Sequence, residues 1–273
     1  MSSCSREQDH IRVPNDEARV NGYLSEIFCS IQGEGLFVGK KMIFLRTAGC
    51  TTCCSYCDTG YSQKQTPQCV IFAREKRAVP NPIGVDEVVR EVFDIARDSA
   101  PVRTVSITGG EPLEQSRFVA SAAAVLKQSC MEVYLETNGI EVDGLAKVLP
   151  FVDVISMDIK LPSAIGCSRW SEHREFLRQA TQAGGDKTVF AKVVIGDHTP
   201  ASEVEMAVDL ISGVGRNIPL VLQPESKVFS GRNTSTNNKN ALKHLLVECQ
   251  KLALERLSDV RVIPQWHKIM GVM

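Results

Sequence analysis

Val102-Arg-Thr-Val-Ser-Ile-Thr-Gly-Gly-Glu-Pro112 is the stretch from which the rest of the chain can be read. An apolar, β-branched run, Val102–Ile107, ends on two glycines, and a helical pattern begins soon after at Phe118, Ala122, Val125 and Leu126. That spacing puts all four side chains on one helix face. A buried strand, a turn and an amphipathic helix make the βα unit of a parallel sheet, because parallel neighbours need a long crossover between them. The alternation recurs on both sides. Apolar runs that read as strands lie at Met42–Leu45, Val133–Leu135, Val152–Ile155, Val189–Ile195 and Leu220–Leu222. Helical spacing appears at Val85, Val88, Val89, Val92 and Ala96, at Val204, Ala207, Val208 and Ile211, and at Leu242, Leu245, Leu246, Cys249, Leu252 and Ala253. Thr199 and Pro200 read as the N-cap and first position of the second of these helices, and Gly213 as its stop.

These elements predict an α/β protein with a single domain. Six strands suit an open doubly wound sheet or an incomplete (β/α) barrel; the expectation adopted is an incomplete (β/α) barrel of about six mostly parallel strands. Either form gathers ligands at the carboxyl ends of the strands. Residues 1–20 are polar and aperiodic and read as a flexible tail, leaving 21–273 as the domain. Thr59–Gly84 lacks a pattern and is too long for an ordinary connection, so it is an insertion or a lid. The polar run Asn233–Asn240 reads as a loop.

The 273 residues carry a net charge of −1, with 43% hydrophobic and 23% charged residues, the balance of a globular protein. Near-neutrality argues against a large nucleic-acid footprint, which draws its affinity from clustered Lys and Arg. No run approaches the roughly 20 apolar residues that span a bilayer, and the first residues have no apolar signal core, so no membrane role and a cytoplasmic location are expected. Ten cysteines is a large number for such a chain, and four of them, Cys50, Cys53, Cys54 and Cys57, fall close together. In a reducing compartment such a cluster points to metal or chemistry rather than disulfides.

Cys50, Cys54 and Cys57 form a C-x3-C-x2-C set on the turn after the strand at Met42–Leu45. Three thiolates can hold three corners of a [4Fe–4S] cubane and leave the fourth iron open. S-adenosylmethionine can chelate that iron through its amino and carboxylate groups and be cleaved reductively to a 5′-deoxyadenosyl radical. A zinc site would want a second ligand pair, which is absent. Cys53 is a possible fourth ligand, but it competes with adjacent Cys54.

The spacing, with Tyr56 before the last cysteine, is similar to the signature of the radical S-adenosylmethionine superfamily, and Thr108-Gly-Gly-Glu-Pro112 resembles its methionine-binding segment. Glu26-Ile-Phe-Cys-Ser-Ile-Gln-Gly-Glu-Gly35, Phe44-Leu-Arg46, Cys57-Asp58-Thr59, Leu135-Glu-Thr-Asn-Gly139, Gln223-Pro224 and Pro264–Met273 resemble the 7-carboxy-7-deazaguanine synthase family. That resemblance implies a lyase that converts 6-carboxy-5,6,7,8-tetrahydropterin to 7-carboxy-7-deazaguanine with loss of ammonia. The product belongs to queuosine- or archaeosine-type deazapurine biosynthesis and tRNA modification. The radical abstracts a substrate hydrogen and later receives one back, so S-adenosylmethionine is regenerated. The implied cofactors are the [4Fe–4S] cluster on Cys50, Cys54 and Cys57, S-adenosylmethionine and Mg2+, with Thr59 as the protein's Mg2+ ligand. Cofactor contacts are implied for Tyr56, Asp58, Gly110, Glu136, Ser156 and Gln223. Substrate contacts are implied for Gln32, Gly33, Glu34, Arg46, Thr108, His267 and Met273. Asp158 and Lys160 lie on a variant of the family's next strand end. A flavodoxin or ferredoxin would supply electrons, and a homodimer is expected.

The Thr51-Thr52-Cys53 interior of the cluster loop and the extra N-terminal tail depart from the pattern and bear on substrate choice. Two alternatives stand beside this reading: an activase for a glycyl-radical enzyme, which shares the cysteine set, and a zinc-bound adaptor. His10, His173, His198 and His244 read as solvated or partly buried. The apolar run Val262, Ile263, Trp266, Ile269, Met270 and Val272 argues that the chain end docks rather than frays.

Overall fold

All six apolar runs contribute strands to one large sheet. The computed structural model describes residues 20–98, 101–227 and 236–272. The strands are β1 (Asn21–Gly22), β2 (Leu24–Ile31), β3 (Lys41–Thr47), β4 (Gln68–Phe72), β5 (Lys76–Pro80), β6 (Ile83–Gly84), β7 (Thr104–Gly109), β8 (Glu132–Thr137), β9 (Val154–Asp158), β10 (Thr188–Ile195), β11 (Leu220–Pro224) and β12 (Val260–Val262). The helices are α1 (Val85–Asp98), α2 (Ser116–Gln128), α3 (Val142–Val148), α4 (Pro162–Ile165), α5 (Trp170–Gln182), α6 (Ala201–Val214), α7 (Thr236–Leu254) and α8 (Trp266–Met270).

The main sheet has ten strands in the order β12-β11-β10-β9-β8-β7-β3-β2-β4-β5, rather than about six. From β12 to β3 every neighbour is parallel. β2 then runs antiparallel to β3, β4 parallel to β2, and β5 antiparallel to β4. The order is linear, so among the described residues the sheet stays open, as a partial barrel requires. β1 and β6 form a separate antiparallel pair.

The segment left unassigned between Thr59 and Gly84 thus supplies the β4–β5 hairpin, an insertion that widens the sheet. Its strands escape pattern reading because only Cys69 and Ile71 are buried, while Lys76, Arg77, Ala78 and Pro80 are exposed. The expected loop at Asn233–Asn240 lies partly outside the described residues, and from Thr236 onward it is helix. α6 starts at Ala201 with Pro200 as its N-cap and runs past Gly213 to Val214. Thr199 does not cap it, because its hydroxyl instead accepts from Gly196 N–H at 2.9 Å.

The central strands are buried on both faces, and their period-two alternation separates two cores. On the helix-covered face, Ile43, Leu45, Val105, Ile107, Val133, Leu135, Ile155, Ala191, Val193, Ile195, Leu220 and Leu222 join the helices in one apolar cluster. On the opposite face Phe28, Phe44, Tyr134, Val154, Phe190 and Val221 form a smaller one. Two residues further along five of the parallel strands, on that same face, the side chains become polar: Arg46 follows Phe44, Glu136 follows Tyr134, Ser156 follows Val154, Lys192 follows Phe190 and Gln223 follows Val221. An apolar floor with a polar cavity at the carboxyl ends of the strands is therefore written into the strands themselves.

Candidate active site

The register brings distant residues side by side. Arg46 pairs with Thr108, Glu136 with Ser156, Asp158 with Lys192, and Val194 with Gln223 across neighbouring strands. These residues line one cavity of about 380 Å³, together with the loop after β3 and the segment around α8.

One wall is the cysteine loop. Cys50, Cys54 and Cys57 line the cavity, whereas Cys53 is exposed and does not. Burial pushes the Cys50 thiol up to about 12 and raises that of Cys54 as well. Thiolates in that setting need a cationic partner, which is what an iron–sulfur cluster supplies. The loop is fastened at its start, through Gly49. Gly49 N–H donates to the Ser62 carbonyl at 2.8 Å, and Glu111 N–H donates to the Gly49 carbonyl at 2.8 Å. The unusual interior is anchored too: Thr51 donates from its amide and its hydroxyl to Glu114 Oε1, both at 2.7 Å, and Asn138 Nδ2 donates to Thr52 Oγ1 at 3.1 Å.

Next to it lies the Gly109-Gly110-Glu111 turn. Gly109 has a φ of +122°, and a methyl group on it would meet the Thr47 backbone at 2.4 Å. A methyl on Gly110 would lie 2.0 Å from the Gly49 carbonyl oxygen, so only glycine lets the two loops approach this closely. Glu111 is 1% exposed and accepts from Leu113 N–H, Asn138 N–H and the Thr137 hydroxyl. Burial pushes its carboxyl up to about 7 against those three donors.

The facing wall carries the residues around Gln32. Gln32 is 3% exposed; its amide donates to Glu136 Oε1 at 3.0 Å, and its oxygen accepts from Glu34 N–H at 3.0 Å. Glu34 pairs with Lys192 and accepts from Gln265 Nε2 at 2.6 Å. Burial acts to raise the Glu34 carboxyl, but the Lys192 ammonium and the Gln265 bond hold it down to about 2. Arg46 donates from Nε to Glu26 Oε1 at 2.6 Å, and Tyr61 donates to the same oxygen at 2.7 Å. The Arg46 guanidinium also lies over the Phe28 ring.

The chain end closes this wall. Trp266 N–H donates to the Gly33 carbonyl at 2.9 Å, and His267 packs so tightly on Gly33 that a methyl there would meet Nδ1 at 2.2 Å. Trp266 itself is 43% exposed, so the apolar run docks through its backbone and His267 more than through its indole. Met273 lies outside the described residues. Glu34, Asp58 and His267 bring ligating atoms within 4.8 Å of one another. Lys192 and Lys268 already neutralise the two carboxylates, so this trio does not read as a cation site.

Every site residue expected from the sequence and lying within the described residues therefore lines this one cavity: the three cysteines, Tyr56, Asp58, Thr59, Thr108, Gly110, Glu136, Ser156, Gln223, Gln32, Gly33, Glu34, Arg46 and His267. Asp158 and Lys160 join them, 2.8 Å apart. Asp158 Oδ1 and Gln223 Oε1 are buried acceptors with no hydrogen-bond partner among the described residues. Such atoms are costly unless a ligand supplies donors. Lys192, Glu26, Glu111, Asn138 and Gln265 were missed. Lys192 had a legible signal, since a lone lysine inside the apolar run Val189–Ile195 has to be paired if the run is buried.

A family model described as the Radical SAM superfamily matches residues 44–211. The chain is 39% identical over 254 residues to a 7-carboxy-7-deazaguanine synthase of Geobacter sulfurreducens, an alignment covering 91% of this chain and 96% of that one. The chain belongs to the 7-carboxy-7-deazaguanine synthase family. A 7-carboxy-7-deazaguanine synthase of Archaeoglobus fulgidus is 33% identical over 257 residues, covering 91% and 98%. A crystal structure of QueE from Escherichia coli shares the fold, with a TM-score of 0.57, 18% identity and coverage of 92% of this chain and 96% of that one. As a 7-carboxy-7-deazaguanine synthase-type enzyme, the protein is a radical S-adenosylmethionine lyase of deazapurine biosynthesis that uses a [4Fe–4S] cluster, S-adenosylmethionine and Mg2+. The activase and zinc-adaptor alternatives are thereby superseded. No helix among the described residues is long and apolar enough to cross a membrane.

One histidine departs from its reading in this synthase-family chain. His173, on α5, is 0% exposed rather than solvated or partly buried. It sits at the inward position of the i, i+3, i+4, i+7 set His173, Phe176, Leu177 and Ala180. Its Nε2 lies 3.1 Å from the Asn138 carbonyl and 3.4 Å from the Lys160 amide, so the tautomer decides which of the two it bonds. Burial pushes the imidazole down to about 4. A folded-state value below the unfolded one gives stability that is present above about 6.5 and is lost as pH falls towards 4, at about 1.4 kcal/mol per unit of displacement. Thermal melts of the apoprotein should therefore show a larger loss of Tm between pH 7.5 and 5 in the wild type than in His173→Asn. Equal losses would mean that His173 does not carry this acid sensitivity.

Proposed function

We propose that the protein converts 6-carboxy-5,6,7,8-tetrahydropterin to 7-carboxy-7-deazaguanine with loss of ammonia. The observation that carries this reading is the meeting, in one cavity, of the Cys50, Cys54 and Cys57 wall with the Gln32, Glu34 and Arg46 wall. Cys50, Cys54 and Cys57 would hold the cluster, which with bound S-adenosylmethionine would supply the radical chemistry for the ring contraction. Tyr56, Asp58, Gly110, Glu136, Ser156 and Gln223 hold S-adenosylmethionine. The orphaned oxygens of Gln223 and Asp158 suit a ligand rich in hydroxyl and ammonium donors.

A pterin presents a planar edge of N–H donors and a carboxylate. Glu34, kept ionised, offers oxygens to the N–H edge, Gln32 offers a fixed amide, and the Arg46 fork offers paired donors to the carboxylate. Gly33 brings backbone against the ring, and Thr108 and His267 complete the wall. Anaerobic reconstitution with iron and sulfide, followed by S-adenosylmethionine, dithionite and the tetrahydropterin, should give 7-carboxy-7-deazaguanine by mass spectrometry. A reconstituted protein that cleaves S-adenosylmethionine but leaves the pterin intact would overturn the substrate assignment.

Thr59 is the protein ligand to Mg2+ in this reading. Its hydroxyl faces the cavity 4.0 Å from Cys57 Sγ, and one hydroxyl suits an ion that keeps several waters. Thr59→Ala should flatten the Mg2+ dependence of product formation while iron content stays at the wild-type level. An unchanged Mg2+ titration would remove Thr59 from that role. Electrons come from a flavodoxin- or ferredoxin-type donor, residues 21–273 act as one catalytic domain, and the working unit is a homodimer.

A further inference from the structure

Lys192 sits in the middle of the cavity wall on β10 and is 7% exposed. Such a residue is tolerated in an apolar strand only if its charge is matched. It bonds Glu34 on one side and lies 3.6 Å from Asp158 on the other. Asp158 in turn bonds Lys160 at 2.8 Å, and the Lys160 ammonium lies over the Tyr56 ring beside the cysteine loop. Glu34, Lys192, Asp158 and Lys160 thus alternate in sign from the substrate wall to the cofactor wall. Lys192 is the link that fixes Glu34, because the other Glu34 partner, Gln265, is neutral and is shared with Asp58 at 3.1 Å.

We infer that Lys192 is a positioning residue for substrate recognition, holding the Glu34 carboxylate ionised and aimed at the N–H edge of the pterin. This rests on the functional reading above and adds to it the residue that sets Glu34. Lys192 reaches Glu34 across 158 positions of sequence, through the register that aligns β9 and β10 and the turn after β2. Without it Gln265 alone would orient the carboxylate, and Asp158 would be left facing Glu34 with no ammonium between them.

The test is a kinetic cycle on the reconstituted holoenzyme, with the tetrahydropterin as varied substrate. Lys192→Met should raise the pterin KM by about tenfold or more, as expected for one lost charge-assisted contact. It should lower kcat much less and leave the S-adenosylmethionine KM and the iron content unchanged. Lys192→Arg should recover most of the loss. Because Lys192 acts through Glu34, adding Lys192→Met to Glu34→Gln should raise KM no further, and this neutral double variant also covers the case in which the single variant folds poorly. A Lys192→Met enzyme with wild-type KM overturns the inference. So does an equal KM penalty in both backgrounds, since Lys192 would then touch the substrate itself. A wild-type enzyme that does not turn over the pterin overturns the functional reading instead, which keeps the two failures apart.

Discussion

Replacing Cys50, Cys54 or Cys57 with alanine should abolish reductive cleavage of S-adenosylmethionine, while Cys53→Ala should keep it. The three cysteines face one cavity and Cys53 is exposed away from it, so the fourth thiol cannot substitute without turning the loop over. That loop is laced to Ser62, Glu111, Glu114 and Asn138, and turning it over would break those bonds together. Loss of any one of three cluster ligands removes the cluster rather than weakening it, so the effect on 5′-deoxyadenosine formation should be complete to within detection. Iron content and the visible absorption of the reconstituted protein report on the same variants. Full activity in Cys54→Ala with none in Cys53→Ala would reverse the assignment.

Gly110→Ala should be nearly as damaging, although it removes no functional group. The added methyl would lie 2.0 Å from the Gly49 carbonyl oxygen and 2.9 Å from the Ser62 carbonyl oxygen. Both neighbours are backbone, so no side chain can swing aside. The turn must separate from the cysteine loop, at the cost of the Glu111 N–H bond to Gly49 and a strain of about 1–3 kcal/mol. S-adenosylmethionine cleavage should drop by more than about tenfold, since one such bond and its geometry are lost at the cofactor. Gly213→Ala on α6 is the control: a methyl there meets nothing within 4 Å, and the change should stabilise the helix by up to about 1 kcal/mol. Wild-type cleavage in Gly110→Ala would show that the two loops need not touch.

The contrast between these residues shows what the sequence could carry. The cysteines, the paired glycines and Gln32-Gly33-Glu34 are local motifs, and the six core strands are apolar runs whose reading needs no partner. The cavity floor was also implicit, because several strands change from apolar to polar at one parity, as in Phe44 to Arg46 and Phe190 to Lys192. What was hidden depends on pairing between distant segments. Nothing near Lys192 announces Glu34, and nothing near Thr51 announces Glu114. The β4–β5 hairpin was hidden for another reason: β5 is the edge strand and keeps only Val79 half-buried, so its pattern fades. α5 had a readable stripe at His173, Phe176, Leu177 and Ala180, diluted by the charged residues between them.

In the proposed reaction one cavity serves both the cofactor and the pterin, and the stoichiometry of a single reaction mixture tests this most directly. With reconstituted protein, Mg2+, dithionite, limiting S-adenosylmethionine and excess 6-carboxy-5,6,7,8-tetrahydropterin, the quantities to measure are 7-carboxy-7-deazaguanine, ammonia and S-adenosylmethionine consumed. Equal amounts of product and ammonia are expected, each exceeding the S-adenosylmethionine lost, as a regenerated cofactor would require. Consumption of S-adenosylmethionine without deazaguanine or ammonia, from a protein carrying its full cluster, would contradict it.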